Sequence, residues 1–292
     1  MIVVTTPTGN IGSQVVKHLL AAGEAVRVIA RDPAKLAPEF QGKVDVEQGS
    51  TDDEAVLSRA FEGAESLFWL VPPSFQDNGD AEYYLRFTRP ACRAIQSRGV
   101  KRVVAVSALG RGIPVDAGLA TAAFAMEAEI EKTGVDFRAL WCPGFMENTL
   151  GQLEPIKHQG MFFAPYPPDF KTRFAATRDI AASAARLLLD RSWTGQGGLA
   201  VLGPEDLSSD DMAAIMTEVL GKPIRFQQIS GEALKAQLMQ SGASEVFAQG
   251  LVNMFTAKVN GLDNAEPRTA ENTTPTSFRQ WCEEVLKPAV LR

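Results

Sequence analysis

Histidine is almost absent from this 292-residue chain: only His18 and His158 occur, with no HExxH pattern and no clustered carboxylates at ligand spacing. A histidine-built metal centre has almost nothing to work with, so no metal is expected. Cysteine is scarce too. Cys92, Cys142 and Cys282 stand far apart among apolar neighbours without CxxC spacing, and they read as reduced core residues of a cytoplasmic protein. Charge of one sign is not in excess: 29 Lys and Arg against 35 Asp and Glu leave a net −6, which disfavours direct nucleic-acid binding or an anionic membrane surface. Long apolar runs are missing as well. Ile2-Val3-Val4 is halted by Thr5-Thr6-Pro7, and the run from Ser66 to Val71 is a buried strand at most, so neither a signal peptide nor a spanning helix is expected.

What is present is 45% hydrophobic and 22% charged, an ordinary globular balance, with no internal repeat or low-complexity segment. Short apolar runs alternate with helical periods. Strands are expected at Ile2–Thr5, Ala25–Ala30, Val44–Glu47, Ser66–Val71, Arg102–Val106 and Phe137–Trp141. Between them, Ile11, Val15 and Leu19 fall on one helical stripe, as do Leu119, Ala123, Met126 and Ile130; Glu54–Phe61 and Ala81–Ser97 are further helical stretches. Alternating β and α with apolar strands predicts an α/β fold, a doubly wound parallel Rossmann sheet covered on both faces. The segment from Gly151 to Phe174, rich in Pro, Gly and aromatics without a clear period, reads as a long pocket-covering loop. A further strand at Gly198–Leu202 rejoins the sheet, and a smaller, mostly helical C-terminal lobe follows, opened by a Ser-x-x-Asp cap at Ser208. The expected division is a sheet domain over 1–150, completed by about 175–203, with 151–174 and 204–292 forming the smaller lobe for a substrate or partner.

The strongest motif is Thr5-Thr6-Pro7-Thr8-Gly9-Asn10-Ile11-Gly12, a strand turning into a helix. A helix N-terminus offers free N–H groups and a positive dipole end to a pyrophosphate. Gly9 allows close backbone approach and Gly12 allows the helix to pack on the strand, while Thr6 stands where the fingerprint's first glycine is expected. Thr6, Thr8, Gly9, Asn10, Ile11 and Gly12 are therefore candidate cofactor ligands; an ordinary β-turn-α junction is the alternative. At the end of the second strand comes Ala30-Arg31-Asp32-Pro33, where an NAD-preferring protein often places an acidic residue on the ribose 2′-hydroxyl. Arg31, helped by Lys35, can pair with a 2′-phosphate, which favours NADP(H) over NAD(H). Equally, Asp32 can cap a helix with Pro33 at its first position, leaving Arg31 an exposed flank.

These segments, taken with Gly49-Ser50-Thr51-Asp52-Asp53, the run Gly99 to Ser107, Met126-Glu127, Thr133 to Phe137, Pro143 to Asn148 and Gly203-Pro204-Glu205, resemble the NmrA-like branch of the atypical short-chain dehydrogenase/reductase superfamily over nearly the whole chain. The resemblance implies a Rossmann domain binding NAD(P), usually NADP(H), and a cleft under the smaller lobe. Members divide into NADPH-dependent quinone, azo-dye and related reductases and dinucleotide-binding regulators. Ser50 replaces an Asp often found near the adenine, and Ala123 replaces a lysine common in this branch.

Conventional short-chain dehydrogenases use a tyrosine with a lysine four residues on. Tyr83, Tyr84 and Tyr166 are followed at that spacing by Phe87, Thr88 and Phe170, so the pair is absent. Reduction of a ketone creates a strongly basic alkoxide and needs such an acid, whereas a quinone gives a weakly basic, phenolate-like anion. The leading expectation is thus an NADPH-dependent oxidoreductase delivering hydride to a small apolar electrophile such as a quinone. A non-catalytic NADP(H)-binding redox sensor is the alternative, and a cofactor-borrowing epimerase ranks third. Ser107, at the carboxyl end of the fifth strand, is the candidate catalytic hydroxyl and cofactor neighbour, or else only a turn cap. Val71, Pro72 and Pro73 are expected to line the cofactor cleft, and Phe75, Phe145, Met146 and Asn148 are candidates for the substrate pocket, with plain core packing the equal alternative for the apolar three. His158 lies in the presumed loop, and Glu131 and Lys132 read as solvated helix ends. Expected partners are a small-molecule substrate and either a second copy of the chain as a homodimer or a regulatory protein.

Overall fold

A computed structural model of the chain describes residues 1–72 and 74–292. Six strands form in the first half: β1 (Ile2–Val4), β2 (Val26–Ala30), β3 (Asp45–Gln48), β4 (Ser66–Trp69), β5 (Arg102–Ala108) and β6 (Asp136–Cys142). A seventh, Gln196–Ala200, is β10 in chain order. Across the sheet they run β10-β6-β5-β4-β1-β2-β3, every neighbour parallel. This is the doubly wound Rossmann order. Chain direction across the sheet reverses between β1 and β4, the crevice where such sheets take ligands.

Period-two alternation sorts the strand side chains to two faces. Val3, Leu67, Trp69, Val103, Ala105, Phe137 and Ala139 point toward α2 (Glu54–Ala60), α3 (Ala81–Arg98) and α4 (Leu119–Glu131). Val4, Val28, Phe68, Val104, Val106 and Leu140 point toward α1 (Asn10–Ala21) and α6 (Thr177–Leu189). Full burial of each large apolar side chain contributes about 1.5–3 kcal/mol, so both faces stabilise the sheet.

The segment after β6 departs from the loop expected for 151–174. It contains β7 (Gly144–Phe145), a 3-10 turn (Met146–Gln152), α5 (Leu153–Gln159), β8 (Met161–Ala164) and β9 (Thr172–Ala175). Each element is too short to display a hydrophobic period, yet Ile156 and Phe162 are buried in the core of the second lobe. Gln152 explains part of the order: its amide donates to Phe163 O at 2.8 Å and accepts from Phe163 N at 2.7 Å. The polar side chain thus replaces a missing strand neighbour.

That second core gathers Ile156, Phe162, Met212, Met216, Phe278, Trp281 and Leu286. Its helices are α7 (Ser209–Leu220), with a capping box between Ser208 and Asp211, and α10 (Phe278–Trp281) with α11 (Lys287–Leu291). A π-helical turn, Cys282–Leu286, separates the last two. Pro288 accounts for it, because its ring crowds the carbonyl one turn earlier. β11 (Asp206–Leu207) extends β9 and β7, while β12 (Arg225–Gln228) pairs in parallel with β8. Helices α8 (Gly231–Gln240) and α9 (Glu245–Val259) pack together, and α9 also rests on α4.

Candidate functional site

The turn after β1 begins with Thr5, whose hydroxyl donates to Phe68 O at 3.1 Å and accepts from Leu70 N at 3.0 Å. It stitches β1 to β4 at the point where the sheet order reverses. Thr6 follows with φ +52°, the one non-glycine residue at positive φ among those described. Its carbonyl receives Gly9 N at 3.0 Å, closing the turn. A Cβ on Gly12 would lie 2.2 Å from that carbonyl oxygen, so only glycine lets α1 approach the turn. The Thr6 hydroxyl oxygen is buried and has no hydrogen-bond partner among the described residues.

Gly9 caps α1 without a side-chain bond, and the first turn carries no acidic residue. Ser13 and Gln14 turn their side chains onto the Gly9 and Asn10 carbonyls at 2.7 and 2.6 Å, leaving the N-terminal amides open. An uncapped helix start, an unpartnered hydroxyl and a glycine cradle fit a dinucleotide pyrophosphate. Thr8 and Asn10 are exposed on the rim of this turn, whereas Ile11 is buried in the sheet core beneath it.

The capping reading of the next motif is the one the structure shows. Asp32 accepts from Ala34 N at 3.1 Å and caps the 3-10 turn Pro33–Lys35. Its carboxylate is thereby occupied locally, and Arg31 is exposed with no ion pair among the described residues. Lys35 is largely exposed and stands 3.8 Å from Asp32. Ser50 is half-buried before α2, which Asp53 caps. Val71 is buried and Pro72 exposed at the end of β4; Pro73 lies outside the described residues.

Ser107 closes β5 and is 6% exposed, in register with Trp141 on β6. It does not cap the following turn. Its hydroxyl is hydrogen-bonded to Glu127 Oε1. Glu127, on α4, is fully buried, and its other oxygen accepts from Arg111 Nη1 at 2.9 Å and Trp141 Nε1 at 3.2 Å. Arg111 also grips both oxygens of Glu131, at 2.5 and 2.6 Å, so Glu131 is not a solvated helix end. Burial pushes the Glu127 carboxyl above its ordinary value, partly opposed by the bonds from Ser107, Trp141 and Arg111. Hydrogen bonds from Arg111 hold Glu131 below its own.

Sequence reasoning missed Glu127, Arg111 and Trp141. A signal existed for the first: Glu127 lies four residues after Ala123 and three before Ile130, on the buried stripe of α4. A carboxylate at a core position needs partners, and here they come from β6 and the loop after β5.

The pocket candidates separate. Phe75 is 59% exposed and packs on Phe247 of α9, ring centres 4.9 Å apart, tying the segment after β4 to the helical lobe. Phe145 is half-buried against the α1 side of the sheet core. Met146, a candidate for pocket or core, fills the second core at 2% exposure, where its flexible side chain packs as an ordinary apolar filler. Asn148 is exposed on the 3-10 turn after it. His158 sits on α5 rather than a loop, largely exposed and 3.3 Å from Glu154. Burial holds all three tyrosines above their usual range, the reverse of what an acid-base tyrosine needs.

Seven parallel strands in this order, with a glycine-cradled turn at the reversal point, define a Rossmann-type fold of the dinucleotide-binding class. Residues 1–283 match the model of the NmrA-like family, and the chain belongs to that family. It is 28% identical over 289 residues to a (4-alkanoyl-5-oxo-2,5-dihydrofuran-3-yl)methyl phosphate reductase of Streptomyces griseus, covering 97% of each chain. It is 26% identical over 255 residues to an NAD(P)H azoreductase of Xenophilus azovorans, covering 87% of this chain and 86% of the other. Among solved structures, an NADPH-dependent quinone oxidoreductase of Escherichia coli, complexed with NADPH, superposes with a TM-score of 0.79 at 24% identity. The superposition covers 96% of this chain and 98% of that one. No helix among the described residues is long and apolar enough to cross a membrane.

Proposed function

We propose that the chain is an NADPH-dependent reductase of a small, planar, apolar electrophile such as a quinone, working without a tyrosine–lysine pair. One juxtaposition carries the reading: the open, carboxylate-free start of α1 and the Ser107 hydroxyl, tethered to a buried glutamate, stand at the same carboxyl edge of the sheet. The reductases among its relatives support the class of reaction. The turn Thr6–Gly12 binds the pyrophosphate, Thr6 Oγ1 and the α1 amides donating to it. Arg31, free of Asp32, pairs with the 2′-phosphate, Lys35 adds charge beside it, and Ser50 lies toward the adenine end. Val71 and Pro72 wall the cleft, and Phe75, held to α9, covers the acceptor and excludes water.

Bound NADPH supplies the hydride; the residues supply position and the proton. Ser107 Oγ hydrogen-bonds the acceptor oxygen on which negative charge appears. A phenolate-like anion needs only that modest help. Reduced cysteines suit a cytoplasmic setting. A second reading, an NADP(H)-binding redox sensor, is favoured by the lack of a tyrosine–lysine pair at the usual spacing. Anaerobic mixing of NADPH with quinone, imine and azo acceptors decides between them. Loss of the reduced-nicotinamide absorbance is expected with at least one quinone, and tight NADPH binding with no loss for any acceptor overturns the reductase reading.

A further inference from the structure

Arg111 serves two carboxylates with one positive charge. Glu131 takes it in a two-point grip at 2.5 and 2.6 Å, while Glu127 shares only Nη1 at 2.9 Å. Glu131 is partly exposed and Glu127 is fully buried, so the guanidinium charge is already matched by the outer carboxylate. With both carboxylates ionised the trio carries a net negative charge inside the protein, and one proton on Glu127 neutralises it. The oxygen left to carry that proton is Oε1, whose only partner among the described residues is Ser107 Oγ; once protonated, Oε1 donates to Oγ instead of accepting from it, which frees the Ser107 hydroxyl proton for the acceptor.

Among the described residues, nothing else packed on this part of α4 offers a compensating charge. From β5 comes Ser107, from β6 the neutral Trp141, and from the loop after β5 only Arg111. Helix α3 packs the buried Tyr84 and Cys92 on this side of the sheet, both held protonated by burial. The remaining neighbour, α9, carries Lys258, whose ammonium is taken by Asp263 at 2.6 Å.

We propose, resting on the reductase reading, that Glu127 holds the proton which Ser107 relays to the reduced acceptor, because its Oε1 touches only the Ser107 hydroxyl while its other oxygen is fully engaged. NADPH bound at this site would supply hydride to the quinone, which then bears an anionic oxygen with a free lone pair. That lone pair takes the Ser107 hydroxyl proton, so a new O–H bond forms and the old Oγ–H bond breaks. Oγ recovers a proton from the Glu127 carboxyl, which ends as carboxylate, and serine is unchanged. A proton taken from solvent and passed back through Ser107 restores the glutamate proton after product leaves. Glu127 acts through Ser107 and is a positioning residue. Its raised carboxyl agrees with this role.

The test uses the full-length protein, NADPH and 1,4-naphthoquinone. Infrared titration of the cofactor-free chain is expected to show a protonated-carboxyl band persisting above the ordinary glutamate range, absent from Glu127→Gln. That variant is expected to lose roughly 10- to 100-fold in kcat, the low end for acid catalysis, with KM for both substrates little changed. The wild type should lose kcat as pH rises, that decline should be absent from Glu127→Gln, and Glu127→Asp should restore part of the rate. A wild type without the infrared band, or a Glu127→Gln variant with unaltered kcat and pH profile, overturns the proposal. Should Glu127→Gln fail to fold, Ser107→Ala takes its place in the kinetics, and the wild-type infrared titration decides where the proton sits. A wild type that binds NADPH but reduces no acceptor overturns the reductase reading instead, and the infrared band then separately decides whether Glu127 is protonated.

Discussion

Replacing Thr6 by glycine should make the cofactor-free protein more stable while weakening its hold on NADPH. Thr6 is β-branched and sits at φ +52°, a conformation that costs an L-residue about 1–2 kcal/mol and costs glycine almost nothing. Its hydroxyl is also buried without a partner among the described residues, and removing such a group relieves a further ~1 kcal/mol or more. Against this stand the extra chain entropy of unfolded glycine, about 0.5–1 kcal/mol, and the loss of two half-buried carbons, Cβ and Cγ2, about 0.8 kcal/mol together. The balance favours the variant by about 1 kcal/mol. The same hydroxyl is assigned to a pyrophosphate oxygen, and a hydrogen bond to a charged group contributes about 1.5–3 kcal/mol, so Kd for NADPH should rise at least tenfold. Chemical denaturation without cofactor and titration calorimetry with NADPH read the two effects. Thr6→Ser, which keeps the hydroxyl, should keep the affinity. A Thr6→Gly protein that is less stable by more than about 1 kcal/mol, or that binds NADPH as well as the wild type, would refute the assignment of both strain and ligand to this residue.

Arg31→Ala should weaken NADPH roughly 10- to 100-fold and leave NADH nearly unaffected, as a charge-assisted contact confined to the 2′-phosphate requires; equal losses for both cofactors would remove that role. Gly12→Ala places a methyl 2.2 Å from the Thr6 carbonyl oxygen, so α1 must shift and dinucleotide binding should be lost even if the chain folds, as calorimetry and circular dichroism together would show. Glu127 has its carboxyl raised on folding, so the proton is bound more tightly in the folded state. Its stabilising contribution is fully present below the unfolded value near ~4.3 and is lost as pH rises through the folded one. The stability of the wild type relative to Glu127→Gln should therefore decline as pH climbs through the mildly acidic range, and a difference that grows instead contradicts the raised carboxyl.

Strand and helix alternation was legible because the inner strands are short apolar runs and the covering helices carry apolar stripes, as in Val103–Val106 and Ile11, Val15, Leu19. The segment 151–174 was not, since α5 and β8 each contribute one buried residue to the second core, Ile156 and Phe162, and one residue has no period. Its order comes from long-range partners such as Gln152 and β12, which local pattern does not encode. The glycine cradle could be read because Gly9 and Gly12 hold fixed offsets in a strand-turn-helix. Glu127 escaped because its significance depends on Arg111 and Trp141, 16 and 14 residues away in the chain. Met146 was left open between pocket wall and core, because apolar character near a strand end does not distinguish the two; its burial in the second core takes the core side.

The path of the chain through β6, β7 to β9, and back to β10 has a kinetic consequence. Strand β10 pairs with β6 only after the intervening 53 residues, Pro143 to Gly195, have been brought together, and that stretch contributes to the second core as well as to α6. Until then β6 has a bare edge of unpaired backbone, the kind of edge that recruits strands from other molecules. Closing so long a loop is slow, and parallel pairing at large sequence separation is slower still. Refolding should accordingly pass through a state in which the inner strands are assembled and β6 is open, and its yield should fall as protein concentration rises.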